Sequence, residues 1–338
     1  MIQINGEKGG GQMLRTALTL SAVTGKNFTI ENIRGNRSNP GLKNQHLECV
    51  KAAKKLCDAK TEGLEKYSEK IVFKPGKYRN QDIESDIGTA GSTTLLFDTV
   101  LPVTTQFTEK FGIKASGGTD VKWSPTSLYY EHVKLLLLEK LGLETDFEVE
   151  KTGFYPKGGG KISLETENYS MESFELLERG ELEKIEIYSK ASRDLEESNV
   201  AERQADEAAK KLKKNFASEK VEKNFEYIES DSTGSALLIK AVYENSIAGF
   251  DALGEKGKSS EKVAEQAFQA FMEFHDSEAS VDEYMADQLM VFAAIVDGVY
   301  SVPEINSHIR SNSYVIEKFG YRVEVGREES RAVLRAGK

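Results

Sequence analysis

Apolar and polar positions along this chain repeat in a unit that occurs three times. In each unit an apolar strand leads into a loop of small residues that opens a helix, and a second amphipathic helix and further strands follow. The predicted first helices follow Gly9-Gly10-Gly11-Gln12, follow the loop from Gly88 to Thr94, and contain Tyr284 to Gln288; the second helices lie near 42–59, 127–141 and 312–319. Strands are predicted at 147–166 and 321–335. A supersecondary unit is repeated here, without close repetition of sequence.

The chain between about Glu183 and Ser280 has a different character. It contains a strand-like segment IEIYSK, a charged helix ESNVAERQADEAAKKLKK, a second strand-like segment ALLIKAVYEN and a helix SSEKVAEQAFQAFMEF. This order predicts an inserted domain of βαβ type.

Composition is that of a soluble globular protein of about two domains: 338 residues, 39% hydrophobic and 30% charged. We find no apolar stretch near the ~20 residues that a membrane span needs, and no signal-peptide pattern at the N-terminus. Cys49 and Cys57 are the two cysteines, at a spacing that suits neither a zinc site nor a disulfide framework. We therefore expect a cytoplasmic protein without a membrane partner.

The formal net charge of −10 argues against binding of nucleic acid over the whole surface. A local basic region is still present, because residues 31–55 hold six cations against Glu31 and Glu48. A solvated helix face explains some of its lysines. Arg34 and Arg37 instead lie in a Gly/Asn/Pro loop, where contact with a phosphate is plausible chemistry.

Two glycine triplets stand out. Gly9-Gly10-Gly11 precedes a strong helix, where backbone N–H groups and the positive end of the helix dipole favour an anion; a close-packed turn is an equally good local interpretation. The second triplet lies in TGFYPKGGGKI, from Thr152 to Ile162. Taken alone, that segment is more often a tight turn between strands than a ligand site.

Two side chains are candidates for chemistry. His308, one of four histidines, lies in a polar loop that leads into a helix; a histidine near a helix N-cap is the plainer interpretation. Asp287 is flanked by apolar residues on a predicted helix. Because an unpaired buried charge is costly, it requires a partner or a role; pairing with an arginine or a place at the helix end would also explain it.

These motifs together resemble the RNA 3'-terminal phosphate cyclase family. Its signature, Arg or His, Gly, two residues, Pro, one residue and Gly-Gly-Gly, is matched from Thr152 to Gly160, except that Thr152 replaces the cation. Its N-terminal motifs are matched by Arg34-Gly-Asn-Arg37-Ser-Asn-Pro40-Gly41-Leu42 and Gln45-His46. The resemblance covers nearly the whole chain and is strongest outside residues 183–280.

The resemblance implies an α+β fold of α/β-like repeats. Three βαβαββ-type repeats, similar to the C-terminal domain of translation initiation factor three, would form the large domain, and a smaller α/β domain would be inserted before the third repeat. The expected domains are 1–182 with 281–338, and 183–280.

The resemblance also implies site residues. His308, two residues before Arg310-Ser311-Asn312, matches the nucleophile that attacks ATP, and Asp287 would orient it or hold a metal. The expected ATP-binding residues are Gly9, Gly10, Gly11, Gln12, Asp287 and Gln288; those for the RNA phosphate are Arg15, Arg34, Arg37, Gln45 and His46. Mg²⁺ or Mn²⁺ is the expected ion. Cyclases usually have Glu directly before the first triplet, but here that place is Lys8, which puts a metal role for Glu7 in question.

The implied activity is ATP-dependent conversion of an RNA 3'-phosphate to a 2',3'-cyclic phosphate, through a covalent His-AMP intermediate and an RNA-adenylate anhydride. One alternative is a noncatalytic relative acting in ribosomal RNA maturation; His308 and Asp287 argue against it, Lys8 and Thr152 mildly for it. A third possibility, an enolpyruvyl transferase, would need two similar domains of about equal size, whereas this chain has three units and an unlike insert.

Overall fold

The structure is a computed structural model that describes residues 1–106, 110–328 and 330–338. The described chain contains both helices and strands, and the strands form four mixed sheets. This confirms the predicted α+β fold in repeated units.

The first repeat consists of residues 2–74. Its strands form the order β1-β2-β4-β3, in which β1 and β2 are parallel and the other neighbours are antiparallel. Its elements are β1 (Ile2–Asn5), α1 (Gly11–Thr24), β2 (Phe28–Glu31), α2 (Asn44–Leu56), β3 (Lys60–Glu62) and β4 (Ile71–Lys74).

The second repeat has the same order of elements and the same sheet, β5-β6-β8-β7, with β5 and β6 parallel. Its second helical segment is continuous over 127–140 and contains a π-helical stretch at Tyr130–Leu135. Its elements are β5 (Ile83–Asp86), α3 (Thr93–Val100), β6 (Phe111–Gly117), α4 (Ser127–Tyr129), α5 (Leu136–Lys140), β7 (Leu143–Lys151) and β8 (Gly160–Tyr169).

The third repeat begins before the insert, with β9 (Phe174–Leu176). The insert follows and forms its own sheet in the order β11-β10-β12-β13. Its elements are β10 (Leu182–Ser192), α6 (Val200–Leu212), β11 (Val221–Ile228), β12 (Ser235–Tyr243), β13 (Ile247–Leu253) and α7 (Ser260–Asp276). The insert therefore interrupts the third repeat instead of preceding it. The exact domain boundaries stay a prediction.

The rest of the third repeat returns to the sheet that β9 begins, in the order β9-β14-β16-β15 with β9 and β14 parallel. Its elements are α8 (Glu283–Val296), β14 (Gly298–Val302), α9 (Ser307–Lys318), β15 (Arg322–Arg327) and β16 (Ala332–Gly337). In each repeat and in the insert, the first two strands of the sheet are parallel neighbours, and the chain that connects them contains at least one helix.

Helix α9 begins five residues earlier than the pattern of apolar residues predicts. The Asn306 side chain accepts hydrogen bonds from the backbone N–H groups of His308 and Ile309, each at 3.0 Å. Asn306 is thus the N-cap, a position that asparagine favours. His308 accordingly lies in the first turn of α9 and not in the preceding loop.

One hydrophobic core extends through all three repeats, and a second belongs to the insert. A smaller cluster, which includes Tyr129, Phe154 and Leu238, joins the second repeat to the insert. No helix in the described ranges is both long and apolar enough to cross a membrane. The helices α1, α8 and α9 contribute to the large core, and the candidate residues Gln12, Asp287 and His308 lie in their N-terminal halves.

Candidate active site

The first glycine triplet forms the N-terminus of α1. Gly10 is the N-cap, and a Cβ built on it would lie 3.6 Å from the Arg37 guanidinium. A Cβ on Gly11 would collide with the imidazole Nε2 of His46 and would lie 3.2 Å from Arg15. The absence of side chains therefore lets two arginines and a histidine approach the start of this helix.

His46 is buried and neutral. Its Nδ1 accepts a hydrogen bond from the backbone N–H of Lys43 at 3.0 Å, so Nε2 carries the proton in the neutral ring. Burial, together with the nearby charges of Arg15, Arg34 and Lys43, lowers the pKa of His46 to about 3. Nε2, which faces Gly11, is thus a neutral N–H donor at physiological pH.

A cavity of about 220 Å³ lies between the N-termini of α1 and α9. His308 is exposed in its wall, on the first turn of α9. The lining residues are Lys8, Gly9, Gly10, Gln12, Asn36, Arg37, Ser307 and His308. The fold thus brings the first triplet and the candidate nucleophile, about 300 residues apart in sequence, to the same cavity.

Helices α1 and α9 are joined by hydrogen bonds between polar side chains. Gln12 Nε2 donates to Ser311 Oγ at 3.0 Å, and Thr16 Oγ1 donates to Asn312 Oδ1 at 3.0 Å. The Asn312 amide in turn donates to the Asp287 carboxylate at 3.1 Å. Gln12 and Ser311 therefore position the start of α9 against α1.

Asp287 is buried on α8 and does not line the cavity. Burial raises its pKa, while electrostatic interactions with His308, Arg15 and Lys134 act in the opposite direction. The sequence analysis required a partner for this carboxylate, and its hydrogen-bond donor in the structure is the Asn312 amide.

Gln288 contacts a lysine that sequence analysis did not single out. Lys134 Nζ donates to Gln288 Oε1 at 2.6 Å and to Asp98 at 2.5 Å, and the Gln288 amide donates to Tyr284 O at 2.7 Å. Burial lowers the pKa of Lys134. A lysine inside the apolar run HVKLLLL was the signal available in the sequence.

The residues predicted to bind the RNA phosphate divide into two groups. Arg15, Arg37 and His46 lie beside the first triplet. Arg34 instead donates through NH1 to the carbonyl oxygens of Asn39 and Gly41, at 2.8 and 3.0 Å, and so organises the loop that carries Arg37. Gln45 Oε1 accepts a hydrogen bond from Ser92 N at 3.0 Å, at the N-cap of α3.

The expected metal does not fit the donor set of the cavity. Lys8, and not a carboxylate, lines it beside Gly9, and Glu7 is exposed outside that lining. Within the ranges that the structure describes, there is no group of three or more His, Cys, Asp or Glu side chains that could hold a metal ion. We therefore assign no step of the chemistry to a protein-bound metal.

The second triplet, Gly158-Gly159-Gly160, lies at the end of the loop between β7 and β8 and lets that loop pack closely against its neighbours. Gly158 and Gly159 both have positive φ, +71° and +70°, and a Cβ on Gly158 would lie 2.8 Å from the Ala90 backbone. Thr152 is buried, and Gly153 N donates to Thr119 Oγ1 at 3.0 Å. None of these residues lines the cavity, and their contacts are those of a close-packed turn.

The matching family model and the similar curated proteins carry the same description. A family model described as "RNA 3'-terminal phosphate cyclase" matches residues 6–325. A protein of that name from Halobacterium salinarum is 38% identical over 342 residues, covering 98% of both chains, and one from Saccharolobus islandicus is 43% identical over 322 residues, covering 94% of both.

Among solved structures, the enolpyruvyl transferase NikO from Streptomyces tendae aligns with a TM-score of 0.38 at 8% identity. The alignment covers 99% of this chain and 48% of the NikO chain, so this chain spans about half of that protein. A likeness at this score is too weak to bear on fold or function.

Proposed function

Because the chain belongs to the RNA 3'-terminal phosphate cyclase family, we propose that it uses ATP to convert an RNA 3'-phosphate into a 2',3'-cyclic phosphate. The observation that carries the proposal is the cavity that joins His308 to the first glycine triplet. In this cavity the candidate nucleophile His308 lies near the cationic side chains of Lys8 and Arg37, which can stabilise the negative charge of the phosphates during the reaction.

In the first step, a ring nitrogen of His308 attacks the α-phosphorus of ATP and the bond to the bridging oxygen breaks. Pyrophosphate leaves, and AMP stays on the ring as a phosphoramidate. The exposed place of His308 in the first turn of α9 suits this role, because the ring is open to the cavity. Gly9, Gly10 and Gln12 line the space beside it, where the nucleotide phosphates would bind.

In the second step, a terminal phosphate oxygen of the RNA attacks the phosphorus of the adenylate and releases the imidazole. The product is a mixed anhydride between the RNA phosphate and AMP. The neighbouring 2'-OH then attacks the 3'-phosphorus, loses its proton and expels AMP, which closes the cyclic phosphate. The 2'-OH is already adjacent, so this step gains from intramolecular proximity.

Arg15, Arg37 and His46 are the residues we assign to the RNA phosphate. Two guanidinium groups can pair with phosphate oxygens, and the neutral Nε2–H of His46 donates a further hydrogen bond. Arg34 and Gln45 support this group through the loop and α3 contacts described above. Mg²⁺ or Mn²⁺ enters the proposal only as the counter-ion that ATP carries.

The test is incubation with α-³²P-ATP followed by a denaturing gel, with Mg²⁺ or Mn²⁺ present. We expect acid-labile, alkali-stable label on the wild type, none on His308→Ala, and wild-type labelling of Arg310→Ala. Arg310 is the matched control, since it is exposed on the same helix but does not line the cavity. An RNA 3'-phosphate added to labelled enzyme should then yield a cyclic end.

A folded wild type that takes no label with either metal would contradict the role of His308. It would favour the alternative, a noncatalytic cyclase-like protein acting in ribosomal RNA processing. Circular dichroism of each variant, compared with the wild type, establishes that the chain is folded.

A further inference from the structure

The wall of the active-site cavity is cationic. Lys8 and Arg37 are its charged side chains besides the titratable His308, and no Asp or Glu is among its lining residues. The ion pairs described for residues 2–79 lie elsewhere, between Lys51 and Glu48, Lys70 and Glu31, Lys74 and Glu62, and Arg79 and Asp58. The two cations of the cavity are thus available to an anionic ligand.

The positive charge of these lining residues favours binding of phosphate and disfavours binding of a divalent cation. Mg²⁺ and Mn²⁺ are held by carboxylate, carbonyl and water oxygens. Like charges at short range repel strongly at the effective dielectric constant of a protein surface, and a divalent ion roughly doubles the repulsion that a monovalent ion would meet. A metal beside Lys8 and Arg37 would meet this repulsion without a carboxylate to offset it.

We propose that the Lys8 ammonium takes the place of a protein-bound divalent ion at the nucleotide phosphates. Lys8 directly precedes Gly9, and Arg37 lies beside Gly10, so the two cations flank the backbone at the start of α1 while His308 faces them from α9. A lysine ammonium is a compact point charge that can follow the phosphates as pyrophosphate departs. The inference rests on the proposed function, because it assigns Lys8 to the ATP of that reaction.

The test measures binding of α,β-methylene-ATP by titration calorimetry, since His308 cannot cleave that analogue. In EDTA, the wild type should bind, and Lys8→Met should bind at least about tenfold more weakly, as expected for one charge-assisted contact. Lys54→Met, the matched control, removes an exposed lysine on α2 that does not line the cavity and should bind like the wild type. Added Mn²⁺ should change the wild-type affinity by less than about threefold.

Lys8→Glu provides the reverse experiment. It places a carboxylate beside Gly9, so binding should be lost in EDTA and should recover when Mn²⁺ is added, because the metal can then bridge the carboxylate and the phosphates. Wild-type protein that binds the analogue only with Mn²⁺, or Lys8→Met that binds as tightly as the wild type in EDTA, would overturn the proposal.

These experiments distinguish failure of the Lys8 proposal from failure of the proposed cyclase reaction. Labelling of His308 together with analogue binding that needs Mn²⁺ contradicts the role of Lys8 and leaves the reaction intact. Metal-free binding without any labelling supports Lys8 as the phosphate ligand and contradicts the nucleophilic role of His308.

Discussion

At Gly11, the missing side chain determines what can approach the first turn of α1. His46 Nε2 would clash with a Cβ added there, and an Arg15 nitrogen would lie 3.2 Å from it. His46 cannot turn away freely, because its Nδ1 holds the backbone N–H of Lys43 at the N-cap of α2. The distance between the two helices at this point is therefore set by one glycine and one ring.

We predict that Gly11→Ala moves His46 and Arg15 and weakens recognition of the terminal phosphate, on the order of 100-fold for a displacement near 1 Å. Fluorescence anisotropy should compare RNA ending in 3'-phosphate with the same RNA ending in 3'-OH. The wild type should prefer the phosphate, and the variant should lose most of that preference.

Gly25→Ala is the matched control at the other end of α1. Gly25 has φ of +69° and no neighbouring atom within 4 Å of its added Cβ, so the substitution should cost about 1–2 kcal/mol of stability and leave RNA binding unchanged. Retention of the full phosphate preference by Gly11→Ala would contradict the assignment of this site.

At the scale of helices, Asn312 joins three elements. Its side chain accepts from Thr16 on α1 and donates to Asp287 on α8, while its own backbone belongs to α9. All three side chains are buried. The relative placement of the three helices, and with it that of His308, depends on this junction.

Asn312→Ala should lower the free energy of unfolding by about 2–3 kcal/mol, because the Thr16 hydroxyl and the Asp287 carboxylate would stay buried without their partner. Urea denaturation followed by circular dichroism measures the loss. Ser313→Ala is the control, as the Ser313 hydroxyl donates to Ile309 O of the same helix. A difference between the two variants below about 0.5 kcal/mol would show that the junction contributes little.

At the scale of the molecule, buried polar contacts fix the insert on the repeats. Lys190 of β10 lies 3.0 Å from Asp120 of the second repeat, and both side chains are almost fully buried. Asp282 at the N-cap of α8 accepts hydrogen bonds from Tyr129 of the second repeat and from Gly249 N of the insert. The junction holds three parts of the chain together.

Lys190→Met should destabilise the protein by about 3–5 kcal/mol, since it leaves the Asp120 charge buried and unpaired. The double variant Lys190→Met with Asp120→Asn should recover much of that loss, because the buried charge is then gone. Urea denaturation of both variants tests this. Equal stability of the single and double variants would mean that the charge of Asp120 is not what the lysine compensates.

Much of the fold and several site residues follow from local patterns in the sequence. Apolar periodicity identified the helices of the repeats, because a face with a period of 3.6 residues must be buried wherever the helix lies. The first glycine triplet was singled out by residue type and by the helix that follows it, and His308 by its resemblance to the family's motif; Gly9, Gly10 and His308 line the cavity. The domain boundaries and the roles of the site residues stay predictions.

Tertiary structure decided the features that depend on residues far apart in the chain. The interruption of the third repeat is visible only from the pairing of β9 with β14, and the contact of Gln12 with Ser311 spans 299 positions. Lys134 gained its place beside Gln288 because two helices of different repeats meet there. Periodicity records which face of an element is buried, whereas what lies against that face depends on how the whole chain folds back on itself.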